Sequence, residues 1–231
     1  MSMNFGREQA LLRQRFTASG SAELATERAA QFGDSVKFLG ASDEDIITAA
    51  TELADTYPQM GRAQMTAFVR TLWGSKTYEL RAVGIRILSL RATLLEPPDM
   101  AFIEGLLKDA TIGDMLSRIA CDILGILVSK NKKTWKDLGK FSKSSNERVK
   151  LAAVLAAKEA VVADGSLFDR FEKLVTPLLP VEDQQLQAAI TAATSAALAQ
   201  DSDAAKAFMD SHQLATESPE APATKKKAPK K

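Results

Sequence analysis

The sequence predicts an all-α protein, an α-solenoid of helix pairs wound into an α-α superhelix. Three observations carry this. Alanine and leucine are abundant while alternating Val/Ile-rich segments are absent. Apolar residues recur at steps of three and four, the signature of helices with one buried stripe. Helix starts recur at a nearly constant interval, which marks stacked repeats.

The elements follow in order. Residues 4–33 read as an N-terminal helical pair that caps the stack. Ser42, before Asp43-Glu44-Asp45, reads as an N-cap with acids in the first turn, where the helix dipole favours them. Gly61 to Trp73 forms the second helix of that pair. Near Thr77 the next helix begins, with Val83, Ile87, Leu90 and Leu94 as its stripe. Pro97-Pro98 closes it and opens Asp99 to Leu107, because proline suits a first helical position. Ile112 starts the third pair, with Leu116, Ile119, Ile123 and Leu127 on one face, followed by Lys132 to Phe141. Asn146 starts the fourth, with Leu151, Val154, Leu155 and Ala160 apolar. The turn Asp164-Gly165-Ser166 leads to Leu167–Leu178. After Pro180, Glu182 to Gln200 and Ser202 to His212 form the last pair. First helices thus begin near Ser42, Thr77, Ile112, Asn146 and Glu182, at intervals of 35, 35, 34 and 36 residues. A helix pair at this period suggests a solenoid of HEAT-like type. An irregular all-α bundle is the alternative. Residues 1–215 are expected to form this domain. Residues 216–231, rich in Lys, Pro and Ala without periodic apolar positions, are expected to be a disordered basic tail.

Composition narrows the function classes. The 231 residues hold 45% hydrophobic and 26% charged residues, ordinary values for a globular chain. One Cys excludes an internal disulfide, and one Cys with one His excludes the usual Cys/His zinc site. No metal or cofactor is expected. No run of about 18 apolar residues is present, so no membrane span is expected. The N-terminal residues lack the apolar core of a signal peptide, and the expected location is cytoplasmic, on the nucleoid if the source is bacterial. No Ser/His/Asp or Cys/His constellation and no phosphate loop are evident. Cys121 reads as a small hydrophobe within an apolar stripe, Trp73 and Phe141 as packing residues, and His212 as a surface residue.

Charge is segregated. Residues 130–150 carry net +6 and the tail from Thr216 net +3, which leaves −8 on the rest. Lys130, Lys132, Lys133, Lys136, Lys140, Lys143, Arg148 and Lys150 supply the basic sector. A basic sector on an acidic body is what focused polyanion binding needs. A solvated lysine-rich surface without a partner is the plainer reading.

Several segments, in this order and spacing, resemble one family: LRQRFTASGSAELATERAAQFGDSVKFLG, LWGSKTYELRAVGIRIL, DMAFIEGLLKDATIGDMLSRIACDILG and KFSKSSNERVKLAAVLA. They look like the DNA alkylation repair (AlkD-like) glycosylases over most of residues 8–212. The resemblance implies a HEAT-like solenoid that holds duplex DNA in a concave basic cleft, and cofactor-free release of N-alkylated purines. In the family a Trp and an Asp four residues apart, an Arg on the next repeat and a later Trp serve that chemistry. A carboxylate stabilises the oxocarbenium character left on the sugar or positions a water. By the same resemblance these positions are Gly113, Ser117, Leu151 and Ala192 here. Asp114 is the one acid of the motif that remains, and the bland reading makes it a first-turn acid. Serine supplies no anionic charge and leucine clamps no phosphate.

The expected function is therefore a monomeric DNA-binding member of this family that grips duplex, damaged or branched DNA in a concave basic cleft, with weak or absent base excision. One alternative is an active alkylpurine DNA glycosylase with a rearranged site, Asp114 as its acid and Arg148 as its phosphate ligand. The other is a protein-interaction scaffold.

Overall fold

The structure is a computed structural model, and it describes residues 3–212. The expected basic tail lies outside the described residues. Among the described residues there are helices and turns and one isolated bridge, Lys37 to Thr77, and no strand. The chain forms α1 (Phe5–Ser19), α2 (Ala22–Phe32), α3 (Asp43–Thr56), α4 (Arg62–Gly74), α5 (Tyr78–Leu90) and α6 (Met100–Asp109). Then come α7 (Gly113–Arg118), a π-helical segment (Ile119–Gly125) and α8 (Ile126–Lys130), joined end to end as one rod. Beyond them lie α9 (Thr134–Phe141), α10 (Glu147–Ala163), α11 (Phe168–Val175), α12 (Gln184–Leu198) and α13 (Asp203–His212).

This is an α-solenoid of helix pairs. The first helices stack in one layer: α3 on α5, α5 on the α7 rod, the rod on α10, and α10 on α12. The second helices α4, α6, α9, α11 and α13 form the other layer, each packed on the first layer behind it. Local chemistry sets the starts. Ser42 accepts from the Asp45 N–H, Asn146 from the N–H groups of Arg148 and Val149, and Asp183 from that of Leu186. The last first helix therefore starts behind Asp183, one residue after the expected Glu182, because the short Asp carboxylate reaches the third residue ahead. Its neighbour α11 is shorter than expected, since 3₁₀ turns at Gly165–Leu167 and Thr176–Leu178 take up its flanks.

The core is the shared seam of the two layers. Phe16, Phe68, Leu72, Leu80, Ile87, Ile103, Ile123, Phe168 and Phe208 are buried within it. Trp73 and Phe141 are buried packing residues and His212 is exposed. Cys121 is only half-buried; burial first, then the nearby Glu159 carboxylate, pushes its thiol up to about 11. Gly125 sits where the rod meets α10: an added Cβ would lie 2.9 Å from the Glu159 Cβ.

Polar side chains tie neighbouring pairs at helix C-termini, where carbonyls lack partners. Arg91 donates to the carbonyls of Ala54, Tyr57, Pro58 and Met60 at the end of α3. Arg81 donates to Trp73 O and Asp109 O, closing α4 and α6. Gln200 does the same for Val161 O and Val162 O of α10 while accepting from the Gly165 N–H. The segment between α2 and α3 is held differently. The fully buried Glu79 carboxylate accepts from the N–H groups of Leu39 and Gly40 at 2.9–3.0 Å. Arg28 lies 3.6 Å from it and donates to Ala41 O and Asp43. Gly40 has φ +81°, and a Cβ there would strike Ser21 O, so only glycine fits this turn.

Candidate functional site

The first-layer helices α7, α10 and α12 run side by side, and their outward faces form an open groove of about 450 Å³. Its lining contains Gly113 and Ser117 from α7, Leu151 from α10 and Ala192 from α12. The four positions singled out in the sequence thus meet in one place, although they span 80 residues of chain. The spacing explains it. Gly113 and Ser117 are four apart on one helix face, and Leu151, Leu155 and Lys158 share a face of α10 at steps of four and three. Leu116, Leu155, Lys158, Gln185, Ala188 and Ala189 complete the wall. Sequence reasoning did not single these out as lining residues; the i, i+4, i+7 step from Leu151 is the signal that would have found Leu155 and Lys158.

The groove holds no carboxylate in its lining. Lys158 is the one charged residue there, and its ammonium pairs with Glu159, the next residue of α10. No residue of α12 is charged. Space is available, since a Cβ on Gly113 would meet no heavy atom within 4 Å. Apolar walls with an amide and a hydroxyl can hold a flat or aliphatic group but cannot stabilise a developing cation.

Asp114 points elsewhere. It lines a separate niche with Asp43, Tyr78, Arg86 and Arg118, between α3, α5 and α7. Its carboxylate accepts from Arg118 Nε at 2.9 Å, the i, i+4 pairing of an exposed helix face. That bond raises the Arg118 guanidinium above its ordinary value. Burial pushes the Tyr78 hydroxyl up, Arg28 opposes, and Asp43 and Asp114 add to the rise.

The basic sector is divided. Lys130 ends α8, and Lys132 and Lys133 lie in the following turn. Lys136 and Lys140 are on α9 and Lys143 just beyond it, all exposed. None of these lines the groove; α9 belongs to the second layer, across the first layer from it. Arg148 and Lys150 are on α10 but are committed. Arg148 donates through Nη2 to Lys108 O at 2.6 Å, with its Nε buried and unpaired, and Lys150 pairs with Glu147 at 2.8 Å. At the other end of the first layer, α3 carries Asp43, Glu44, Asp45, Glu52 and Asp55 with no cation. Beside the groove, α12 adds no charge and the lysines of α10 are paired with Glu147 and Glu159.

Known proteins place the chain. The family model described as DNA alkylation repair enzyme matches residues 12–230. The chain belongs to this family. A predicted DNA alkylation repair enzyme from Enterococcus faecalis shares the fold with a TM-score of 0.69 and 13% identity, over 89% of this chain and 98% of that one. No curated protein matches the sequence. Among the described residues no cluster of three or more His, Cys, Asp or Glu side chains could hold a metal, and no helix is long and apolar enough to cross a membrane.

Proposed function

We propose that this member of the DNA alkylation repair family binds duplex DNA and has weak or absent base excision. The observation that carries the reading is the groove. Gly113, Ser117, Leu151 and Ala192 converge there, and no carboxylate or free guanidinium converges with them. Cleavage of an N-glycosidic bond leaves positive charge on the sugar, and a preorganised anion is what lowers that barrier, by a factor of roughly 10²–10³ for a single well-placed group. Here the groove's one charged lining residue is Lys158, paired with Glu159, so no anion lines the groove. Asp114 does not substitute for the missing acid, because its carboxylate is held by Arg118 in the adjoining niche.

Family membership and the cations of residues 130–143 support DNA as the partner. The test is to incubate the full chain with methylated duplex and measure both binding and released purine. The expected result is a saturable complex with release at the spontaneous rate. Release that is fast and abolished by Asp114→Asn would overturn the reading in favour of an active glycosylase with a rearranged site. A second reading, a scaffold for a protein partner, is favoured by the apolar lining of the groove and the absence of charge on α12. A stoichiometric partner that survives nuclease treatment, with no duplex binding by the pure chain, would support it over the first.

A further inference from the structure

In the first layer α3 is acidic, α12 carries no charge and the cations of α10 are engaged by Glu147, Glu159 and Lys108 O, whereas the lysines along α9 are mostly unpaired. We infer that the outer face of α9, on the layer remote from the groove, is the DNA-docking surface of this chain; the inference rests on the DNA-binding reading above.

Lys136 and Lys140 lie four apart on one face of α9, and Lys133 at its N-cap and Lys143 in the turn after it continue the row at steps of three. Thr134, Trp135, Leu138 and Phe141 occupy the opposite arc and are buried against the first layer and α6. The lysine stems therefore cover no apolar surface of α9, and their ammonium groups stand in solvent. The row is about 15 Å long, from ten steps at about 1.5 Å each. Charge compensation is sparse. Lys140 meets Asp137 at 2.7 Å, whereas Lys133, Lys136 and Lys143 have no carboxylate within 4.0 Å among the described residues. This contrasts with Lys108, Lys150, Lys158 and Lys206, each paired with a carboxylate. The adjacent second-layer helix α11 packs beside α9 and is neutral overall, with Arg170 and Lys173 offset by Asp169 and Glu172. Duplex DNA carries about one negative charge per 1.7 Å of axis, so a stripe of this length faces several phosphates at once. The partner is read through its backbone, with no sequence preference, because lysines on a flat helix face reach phosphates and not base edges.

The experiment is fluorescence anisotropy with a labelled duplex of about 20 base pairs, titrated from 50 to 200 mM salt. Three variants of the full chain are compared with the unaltered protein. The first carries Lys133→Gln, Lys136→Gln and Lys143→Gln. The second carries Lys158→Gln and Gln185→Ala in the groove. In the third, Lys225, Lys226, Lys227, Lys230 and Lys231 of the tail are changed to Gln. All substitutions are on exposed or half-exposed positions or in the tail, and circular dichroism checks the fold. We expect the α9 variant to lose at least tenfold in affinity and its log–log salt slope to flatten by about 2.7, at about 0.9 per phosphate contact removed. The groove variant should bind as the unaltered protein does, and the tail variant should keep its dependence on α9. Binding that survives in the α9 variant but falls in the groove or tail variant would overturn the assignment while leaving DNA binding intact. No binding by the unaltered chain at 50 mM salt would overturn the DNA reading itself.

Discussion

Removing the Glu79 carboxylate should loosen the join between the N-terminal cap and the first repeat. The side chain has no solvent exposure and is the acceptor for two backbone N–H groups, those of Leu39 and Gly40. In Glu79→Ala both donors lose their partner, and each buried unsatisfied donor costs about 1–3 kcal/mol. Arg28 keeps Ala41 O and Asp43, so its guanidinium is not stranded. The expected loss is about 4 kcal/mol for Glu79→Ala. For Glu79→Gln, which retains one carbonyl acceptor, it is about 2 kcal/mol. Urea unfolding followed by circular dichroism reads the change as a fall in midpoint at constant slope. Hydrogen exchange adds a local readout, with protection lost first at Leu39 and Gly40. A Glu79→Ala loss below about 1 kcal/mol, or unchanged protection at both amides, would refute the reasoning, since the carboxylate would then contribute less than one ordinary hydrogen bond.

Two further outcomes are expected. The thiol of Cys121, pushed up to about 11 by burial and by Glu159, should react slowly with an uncharged thiol reagent at pH 8. Its rate should climb through pH 10–11, whereas a rate matching that of a free thiol at pH 8 would contradict the burial. Rebuilding the groove with Gly113→Trp, Ser117→Asp, Leu151→Arg and Ala192→Trp in one chain should leave purine release from methylated DNA at the spontaneous rate, because DNA docked on the outer face of α9 does not present its sugars to the groove. The site has room for it, since Gly113 faces open space and Ser117 and Ala192 are exposed. A gain of about a hundredfold in a folded variant would mean that the groove does face a bound sugar, and would contradict docking on α9.

Much of the fold was legible because each pair must bury a stripe of similar size. That repetition left starts near Ser42, Thr77, Ile112 and Asn146, and the structure places N-caps at those residues. The groove was legible through the order of several weak motifs, which put Gly113, Ser117, Leu151 and Ala192 on parallel first helices. Glu79 was not legible. In the segment TYELRAV it has the appearance of an ordinary first-turn acid, and only the approach of residues 39–40 from another part of the chain makes it a buried acceptor. The π-helical segment Ile119–Gly125 carried no local signal either, since its apolar spacing reads as a regular helix. The basic sector shows what one-dimensional charge counting omits. Net +6 over residues 130–150 says nothing of direction, and the fold splits those cations between the free face of α9 and the committed Arg148 and Lys150 of α10. The face of α9 could have been read from its steps of three and four, because the lysines alternate there with Trp135, Leu138 and Phe141.

The proposal that this chain binds DNA without base excision is tested most directly by a single-turnover assay. The full chain in excess is mixed with methylated duplex, complex formation is followed by anisotropy, and released purine is counted in the same samples. The account predicts saturated binding with purine release no faster than in the protein-free control. Release ten times faster than that control would show that the groove, or the Asp114 niche beside it, still performs the chemistry, and would contradict the account.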